Sequence, residues 1–231
     1  LTEKLRLNAG LRYSYEEKVF TVERLRNFVT VAGPATQAGD WNAWTPKFGL
    51  DYLVSDDIML YFSASRGFKS GAFNASAVNA LPVDPEFNTA YEIGAKSMLL
   101  DDRLRLNFSA FSYDYTDLQV QSIVEGAGGG TLVLELKNAA EAEIKGLEVE
   151  VTALVHDSLK LDLGLSWLDA EYTKFNSLDE NDTPISLVGN SLPNSPTFTA
   201  NVGFEYTQTV ANNGNLVLRA DYYYSEEKFF N

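Results

Sequence analysis

The side chains able to do chemistry in this chain are few and scattered. Histidine occurs once, as His156 in the short polar run His156-Asp157-Ser158, and there is no cysteine. A lone imidazole with no second histidine or thiolate cannot build a zinc-type site. No nucleophile stands at a spacing that would pair with it. His156 therefore reads as a solvated turn residue, with no catalytic constellation and no cofactor site in view. The run Asp179-Glu180-Asn181-Asp182 could hold a divalent cation, but it lacks the regular ligand spacing of a calcium loop and reads as a solvated loop. Gly126, Gly128, Gly129 and Gly130 are not followed by lysine and hydroxyl in phosphate-loop order, and read as a turn. What remains is aromatic. Phe111, Tyr113 and Tyr115 alternate along one stretch, and Phe68, Phe73 and Phe87 accompany Arg66 and Lys69 in another, all expected on one side. Such a group could line a vestibule that stacks on or pairs with a ligand. The same rings could instead pack loops together or wedge against a neighbouring domain.

The elements that position these side chains follow from periodicity. Residues 159–167, L-K-L-D-L-G-L-S-W, put Leu159, Leu161, Leu163, Leu165 and Trp167 on one face of a strand and Lys160, Asp162, Gly164 and Ser166 on the other. The pattern recurs, for example as Leu5, Leu7, Ala9, Leu11 and Tyr13 against Arg6, Asn8, Gly10, Arg12 and Ser14. Short polar runs at 55–57, 100–103, 156–158 and 211–215 separate strand-like stretches, and longer connections lie at about 19–40, 69–87, 124–130 and 174–196. If the short turns share one end of a barrel, two strands must run between each consecutive pair. Residues 131–155 then form one long strand rather than two. Nine strands are predicted, at about 3–18, 41–54, 58–67, 87–99, 104–122, 131–155, 159–173, 197–210 and 215–230. In the third, Leu60/Phe62/Ala64 and Met59/Tyr61 compete for the outer face. Pro46 lacks a ladder donor and predicts a bulge.

Three features favour an antiparallel transmembrane β-barrel over a soluble sheet. Trp44, Tyr52, Trp167, Tyr206, Tyr222 and Tyr224 fall near the ends of apolar runs, where interfacial girdles belong. A run such as 159–167 rises roughly 20 Å at a ~40° tilt, close to the ~25 Å apolar band of a barrel. The polar face carries Arg6, Arg12, Lys47, Lys96, Arg105, Lys160 and Arg219 against Asp51, Glu92, Glu148, Glu150, Asp162, Glu205 and Asp221, a balance no buried core tolerates. With 32 acidic and 18 basic side chains the net charge is −14, which argues against a nucleic-acid partner. The excess acid lies in loops and turns. No run reaches the ~20 apolar residues of a spanning helix. Nine is an odd number, so the strands are expected to belong to a larger barrel.

Particular segments then resemble one family. YFSASRGFKSGAFN at 61–74 and AYEIGAKSML at 90–99 resemble consecutive barrel strands of TonB-dependent outer-membrane receptors. DRLRLNFSAFSYDYTDLQVQ at 102–121 is similar to that family's "rlrlnaa.F..dYtdlQv" strand, NAAEAEIKGLEVE at 138–150 to its "NA..a...GlE.E" strand, and SLPNSP at 191–196 to its late turn. The first strand fits the family's "GlRY" segment. The resemblance implies a bacterial outer-membrane receptor that binds an iron-siderophore or similar large nutrient and imports it through a 22-stranded barrel. A plug domain closes the barrel, and TonB, energised by ExbB–ExbD, drives transport. On this reading residues 1–231 are a partial barrel domain, with the plug, its TonB-contacting segment and the terminal strands lying outside it. A passive porin, whose lumen would be open, a surface adhesin, whose loops would carry function, and an outer-membrane hydrolase, which lacks a triad here, are the rival readings. The implied partners are the nutrient ligand, outer-membrane lipid and TonB through the plug.

Overall fold

A computed structural model describes residues 3–74, 81–125, 132–178, 183–210 and 214–230 of the chain. The predicted loops at 126–130 and 179–182 lie outside the described residues. The strands are β1 (Leu5–Arg26), β2 (Val29–Leu53), β3 (Ile58–Lys69), β4 (Glu86–Leu99), β5 (Leu104–Glu125), β6 (Leu132–His156), β7 (Leu159–Leu178), β8 (Pro184–Ser186), β9 (Phe198–Val210) and β10 (Gly214–Ser225). Nine of them form one sheet in the order β1-β2-β3-β4-β5-β6-β7-β9-β10, and the short β8 pairs back onto β7. Neighbours are antiparallel throughout, and β6 is a single long strand, as turn parity requires.

The tight turns meet at one end. Arg103 in the β4–β5 turn donates to Asp157 in the β6–β7 turn at 2.8 Å, so these two turns sit side by side. Leu100, Asp101 and Asp102 all have left-handed backbone, with φ of 57°, 53° and 64°. Aspartate accepts that conformation more readily than most residues because its short polar side chain bonds locally.

Register fixes the two faces. Leu161, Leu163 and Leu165 stand between Ala153, Val151 and Val149 of β6 and Phe204, Val202 and Ala200 of β9, giving a continuous apolar surface. On the other face Lys160 pairs with Asp162 at 2.9 Å, and Arg219 with Asp221 at 2.9 Å and Glu205 at 3.7 Å. The competition in β3 resolves in favour of Leu60, Phe62 and Ala64 outward, since they lie opposite Tyr52, Leu50 and Phe48 and opposite Ala95, Ile93 and Tyr91. The outward face is open, with Leu11 66% and Ile93 59% exposed, as lipid-facing wall requires.

Four expectations need correction. Residues 19–40 are not a loop: β1 and β2 run on as a hairpin to a two-residue turn at Asn27 and Phe28, whose φ of 52° and 63° fit a type I′ geometry. Above the membrane the outward face need not be apolar, so alternation no longer marks the strand. Pro46 makes no bulge. It pairs in register with Leu11, and its missing donor falls where the β2–β3 ladder ends, at Lys47 opposite Ser65. The last strand stops at Ser225, opposite Thr199, because the partner strand begins at Phe198 just after the turn that holds Pro193 and Pro196. The connection 174–196 is partly strand, since β7 continues to Leu178 and β8 pairs with its tip.

Two glycines seat rings on the polar face. A Cβ at Gly94 would lie 2.4 Å from the Phe108 carbonyl oxygen and 2.6 Å from the Tyr61 ring, and one at Gly146 only 2.3 Å from the Phe111 ring. At Gly10 the nearest atom is 4.0 Å away. Gly94→Ala is therefore expected to destabilise the sheet by about 1–3 kcal/mol through overpacking. Gly10→Ala should be neutral or slightly stabilising. Urea titration of the folded barrel measures both, and equal effects would contradict the packing argument.

Candidate functional site

The polar face of β3–β7 carries a concave surface near the aromatic residues. Phe111 lies over Gly146 and stacks on Tyr113, with ring centroids 4.8 Å apart and planes 18° from parallel. Tyr115 continues the same face. Together with Glu92, Ser109, Ile144, Glu148 and Leu168 these rings line a concavity of about 340 Å³. Below it Tyr61 donates to Glu92 at 2.5 Å, while Lys96 sits 5.5 Å from the Tyr61 ring centre. Asn107 donates to Glu150 at 3.3 Å. The floor is thus charged and hydrogen-bonded, and the ledge above it is aromatic. Such a surface can stack a planar or apolar group and accept hydrogen bonds at its lower edge.

A smaller concavity of about 190 Å³ adjoins it, bordered by Gly67, Phe68, Lys69, Glu86, Asn88 and Tyr115. Lys69 pairs with Glu86 there at 3.1 Å. Among the described residues Asn88 Oδ1 is buried without a hydrogen-bond partner, an acceptor open to a further donor. Sequence reasoning passed over Asn88. Its only signal was a polar amide at a polar-face position of β4, between Phe87 and Thr89.

The predicted aromatic group does not stay on one side. The β3–β4 register runs unbroken from Ile58 to Lys69, so Arg66, Phe68 and Phe87 take the outward parity and Lys69 the inward one. Arg66 lies 4.1 Å over the Phe87 ring, and Phe68 is 6.3 Å from it. These three form an outward-facing cluster, a correction to the expectation that they accompany Phe111, Tyr113 and Tyr115. Phe73 goes to a third place. It stacks on Phe20 at 5.6 Å and meets Trp41 edge-on at 5.7 Å, at the β1–β2 hairpin. There Lys18 donates to Ser70 Oγ at 2.6 Å and to the Gly71 carbonyl at 2.8 Å. Gly71 is required by that close approach, since a Cβ would fall 2.1 Å from Trp41 Nε1 and 2.3 Å from the Val83 carbonyl oxygen.

The other predicted positions are structural in kind. Trp44 (57% exposed), Tyr52, Trp167, Tyr222 and Tyr224 stand outward on the apolar face, and Trp44 packs against Tyr13 at 4.9 Å. Tyr206 shares that face and donates to Gln208 at 2.8 Å. His156 Nδ1 accepts from the Ser158 backbone at 3.2 Å, within the turn.

Comparison with known proteins bears on this arrangement. The family model described as TonB dependent receptor-like, beta-barrel matches residues 1–231. The chain is 29% identical over 182 residues to the metal-pseudopaline receptor CntO of Pseudomonas aeruginosa, covering 78% of this chain and 23% of that protein. It is 25% identical over 209 residues to the probable TonB-dependent siderophore receptor PiuA of Acinetobacter baumannii, covering 85% of this chain and 26% of that one. The chain thus spans about a quarter of these relatives' length. Among solved structures, the ferric yersiniabactin uptake receptor FyuA of Yersinia pestis superposes on all of this chain with a TM-score of 0.77 at 20% identity, over 33% of its own length. The PiuA crystal structure superposes on 97% with a TM-score of 0.72 at 21% identity, over 31% of its length.

Glu16, above the aromatic girdle, offers a pH test of the contact between β1 and residues 70–71. A hydrogen bond with Ser70, then the Lys18 ammonium, holds its carboxyl below the usual carboxylate range. Its folded pKa is lowered, so its contribution is complete above the unfolded value and is lost as pH falls through the folded one. Amide exchange at Ala72 and Val83 should therefore be unchanged between neutral pH and about 5, and should accelerate, after correction for intrinsic rates, below about 4. Glu16→Gln should abolish that acid-induced step. An acceleration that survives in Glu16→Gln would assign it to another group.

Proposed function

Since the chain belongs to the TonB-dependent receptor β-barrel family, we propose that it forms part of the wall of a receptor that captures a metal–siderophore complex outside the cell and imports it. The family is one of transport receptors, and its walls stand in the bacterial outer membrane. The observation that carries the ligand reading is the aromatic ledge of Phe111, Tyr113 and Tyr115 on the polar face, above a charged and hydrogen-bonded floor. The named relatives handle metal-pseudopaline and siderophores, which supports a chelated metal as cargo.

On this reading no bond is made or broken in the cargo by the wall. Phe111 is seated on Gly146 and fixes the ledge. Tyr113 and Tyr115 present ring faces and hydroxyls to the ligand, and Asn88 Oδ1 accepts from a ligand donor. Lys69, paired with Glu86, borders the same space. Arg66 and Phe68 face outward and shape the rim, while Phe73 anchors the β3–β4 connection. Residues 1–231 are read as a share of the barrel domain, with the plug and remaining strands elsewhere in the receptor. On this reading transport energy arrives through the plug from TonB. The outward girdle of Trp44, Tyr52, Trp167, Tyr206, Tyr222 and Tyr224 sets the wall's depth in lipid.

The test is uptake of radiolabelled iron by cells carrying the complete receptor, supplied with pseudopaline or yersiniabactin, with and without TonB. At least one complex should enter in a TonB-dependent manner. Entry that ignores TonB would favour a passive porin, and no entry of any complex would sink the siderophore reading. In the responsive case, Tyr113→Ala and Tyr115→Ala should each raise the half-saturating concentration about tenfold, the loss of one ring contact, at unchanged surface abundance.

A further inference from the structure

The nine strands are of unequal height, and this leaves a gap. Pairing of β2 with β3 ends at Lys47 opposite Ser65, while β1 and β2 continue as a hairpin to Asn27 and Phe28. Pairing of β4 with β5 ends at Phe87 opposite Thr116, while β5 and β6 continue to Glu125 and Leu132. Two tall hairpins therefore rise on either side of the shorter β3–β4 pair, about 14 Å apart at three strand spacings. The connection leaving β3 does not simply arch over its own strands. Its described residues, 70–74 and 81–85, are fastened to both hairpins.

The fastening on the β1–β2 side is Lys18 with Ser70 and Gly71, and Phe73 with Phe20 and Trp41. The fastening on the β5–β6 side is made by side-chain amides. Asn138 Oδ1 accepts the Asp84 backbone N–H at 2.7 Å, and its Nδ2 donates to the Asp84 carbonyl at 2.8 Å. One carboxamide thus satisfies both backbone groups of one residue, as a neighbouring strand would. The same Nδ2 also reaches the Asp117 carbonyl at 2.6 Å, where β5 bulges with φ of 56°. Gln119 Nε2 donates to the carbonyls of Ser70 and Asp84, both at 2.9 Å, and its backbone N–H donates to Glu86 at 2.9 Å. Asn74, 3% exposed, donates to the Leu136 carbonyl at 3.2 Å. Between these two ends the connection closes on itself through the Ala72–Val83 bridge.

We infer that Gln119 and Asn138 are positioning residues that hold the β3–β4 connection as a strut between the two hairpins, coupling them into one cooperative unit. The Gln119 amide bonds only to this connection in the contacts above, and the Asn138 amide ties it to Asp117 of β5. Both reach across to a segment 35 to 54 positions away in sequence, which only a fixed connection can meet. Lower down the two hairpins are joined through the β3 and β4 ladders, but above Lys47 and Phe87 those ladders have ended, and among the described residues this segment bridges the gap. The inference concerns the wall and holds whichever cargo the receptor carries.

The test reads each hairpin while cutting the strut at the opposite end, in the complete receptor by amide hydrogen exchange. The double variant Gln119→Ala/Asn138→Ala releases the β5–β6 end, and the readout is the β1–β2 hairpin at 19–40. Gly71→Ala releases the other end by displacing Trp41 and Val83, and the readout is the β5–β6 hairpin at 116–140. A strut predicts that protection on the far side falls by about tenfold in each variant, alongside faster exchange at Ala72 and Val83. A far side that changes by less than about twofold, with the near side loosened, overturns the coupling. If the double variant fails to fold, Gly71→Ala alone decides the matter. Gly10→Ala serves as the folded control and should change neither hairpin.

Discussion

Inside a bilayer there is no water to meet an unpaired backbone N–H or carbonyl, so every residue of the spanning wall must pair with a neighbouring strand. That requirement forces an extended chain with a period of two, and the period then divides the chemistry. One face must satisfy lipid and becomes Leu161, Leu163, Leu165, Val202 and Phe204. The other is free to carry charge, and it does so in local pairs such as Lys160–Asp162 and Arg219–Asp221. Everything else in the chain is placed relative to those two faces, including which aromatic ring can meet a ligand and which can only meet lipid.

The same constraint explains what the amino-acid sequence reveals and where it falls silent. Within the membrane alternation is compulsory, so the strands, their order and the single long β6 are legible from leucine spacing and turn parity. Above the membrane water can satisfy either face, and alternation becomes optional. Residues 19–40 lose the pattern while keeping the strand, with Val19, Thr21, Thr36 and Ala38 replacing the leucines of the wall. Arg66 and Phe68 are misplaced for two local reasons. Phe68 falls beyond a strand ended at 67, and Arg66 inherits the competition between Leu60/Phe62/Ala64 and Met59/Tyr61 for the outer face. The ladder in fact runs to Lys69 and Glu86, and parity sends Arg66 and Phe68 outward.

The amides of Gln119 and Asn138 were hidden differently. Both lie in segments that read correctly as strands and resemble family strands, yet a single amide on a polar face carries no mark of its partner. Their partners are backbone groups of Ser70 and Asp84, which have no residue-type signature at all. Side-chain-to-side-chain chemistry leaves spacing in a sequence, and side-chain-to-backbone chemistry does not. Asn88 is silent too, since its buried acceptor meets no partner among the described residues.

Wall and ligand surface are therefore not separate regions but successive positions on one strand. On β5, Phe111 fills the hollow left by Gly146, and its neighbour two places on, Tyr113, stacks upon it and is offered to the lumen. Two places further, Tyr115 reaches the border of both concavities. Rigidity is passed upward along the face, from glycine to seated ring to exposed ring, so the exposed ring loses little side-chain freedom when something stacks on it. A ligand surface raised this way can differ between receptors by changing only the upper rings. The glycine-seated ring beneath them stays tied to the sheet, because replacing Gly146 would unseat it.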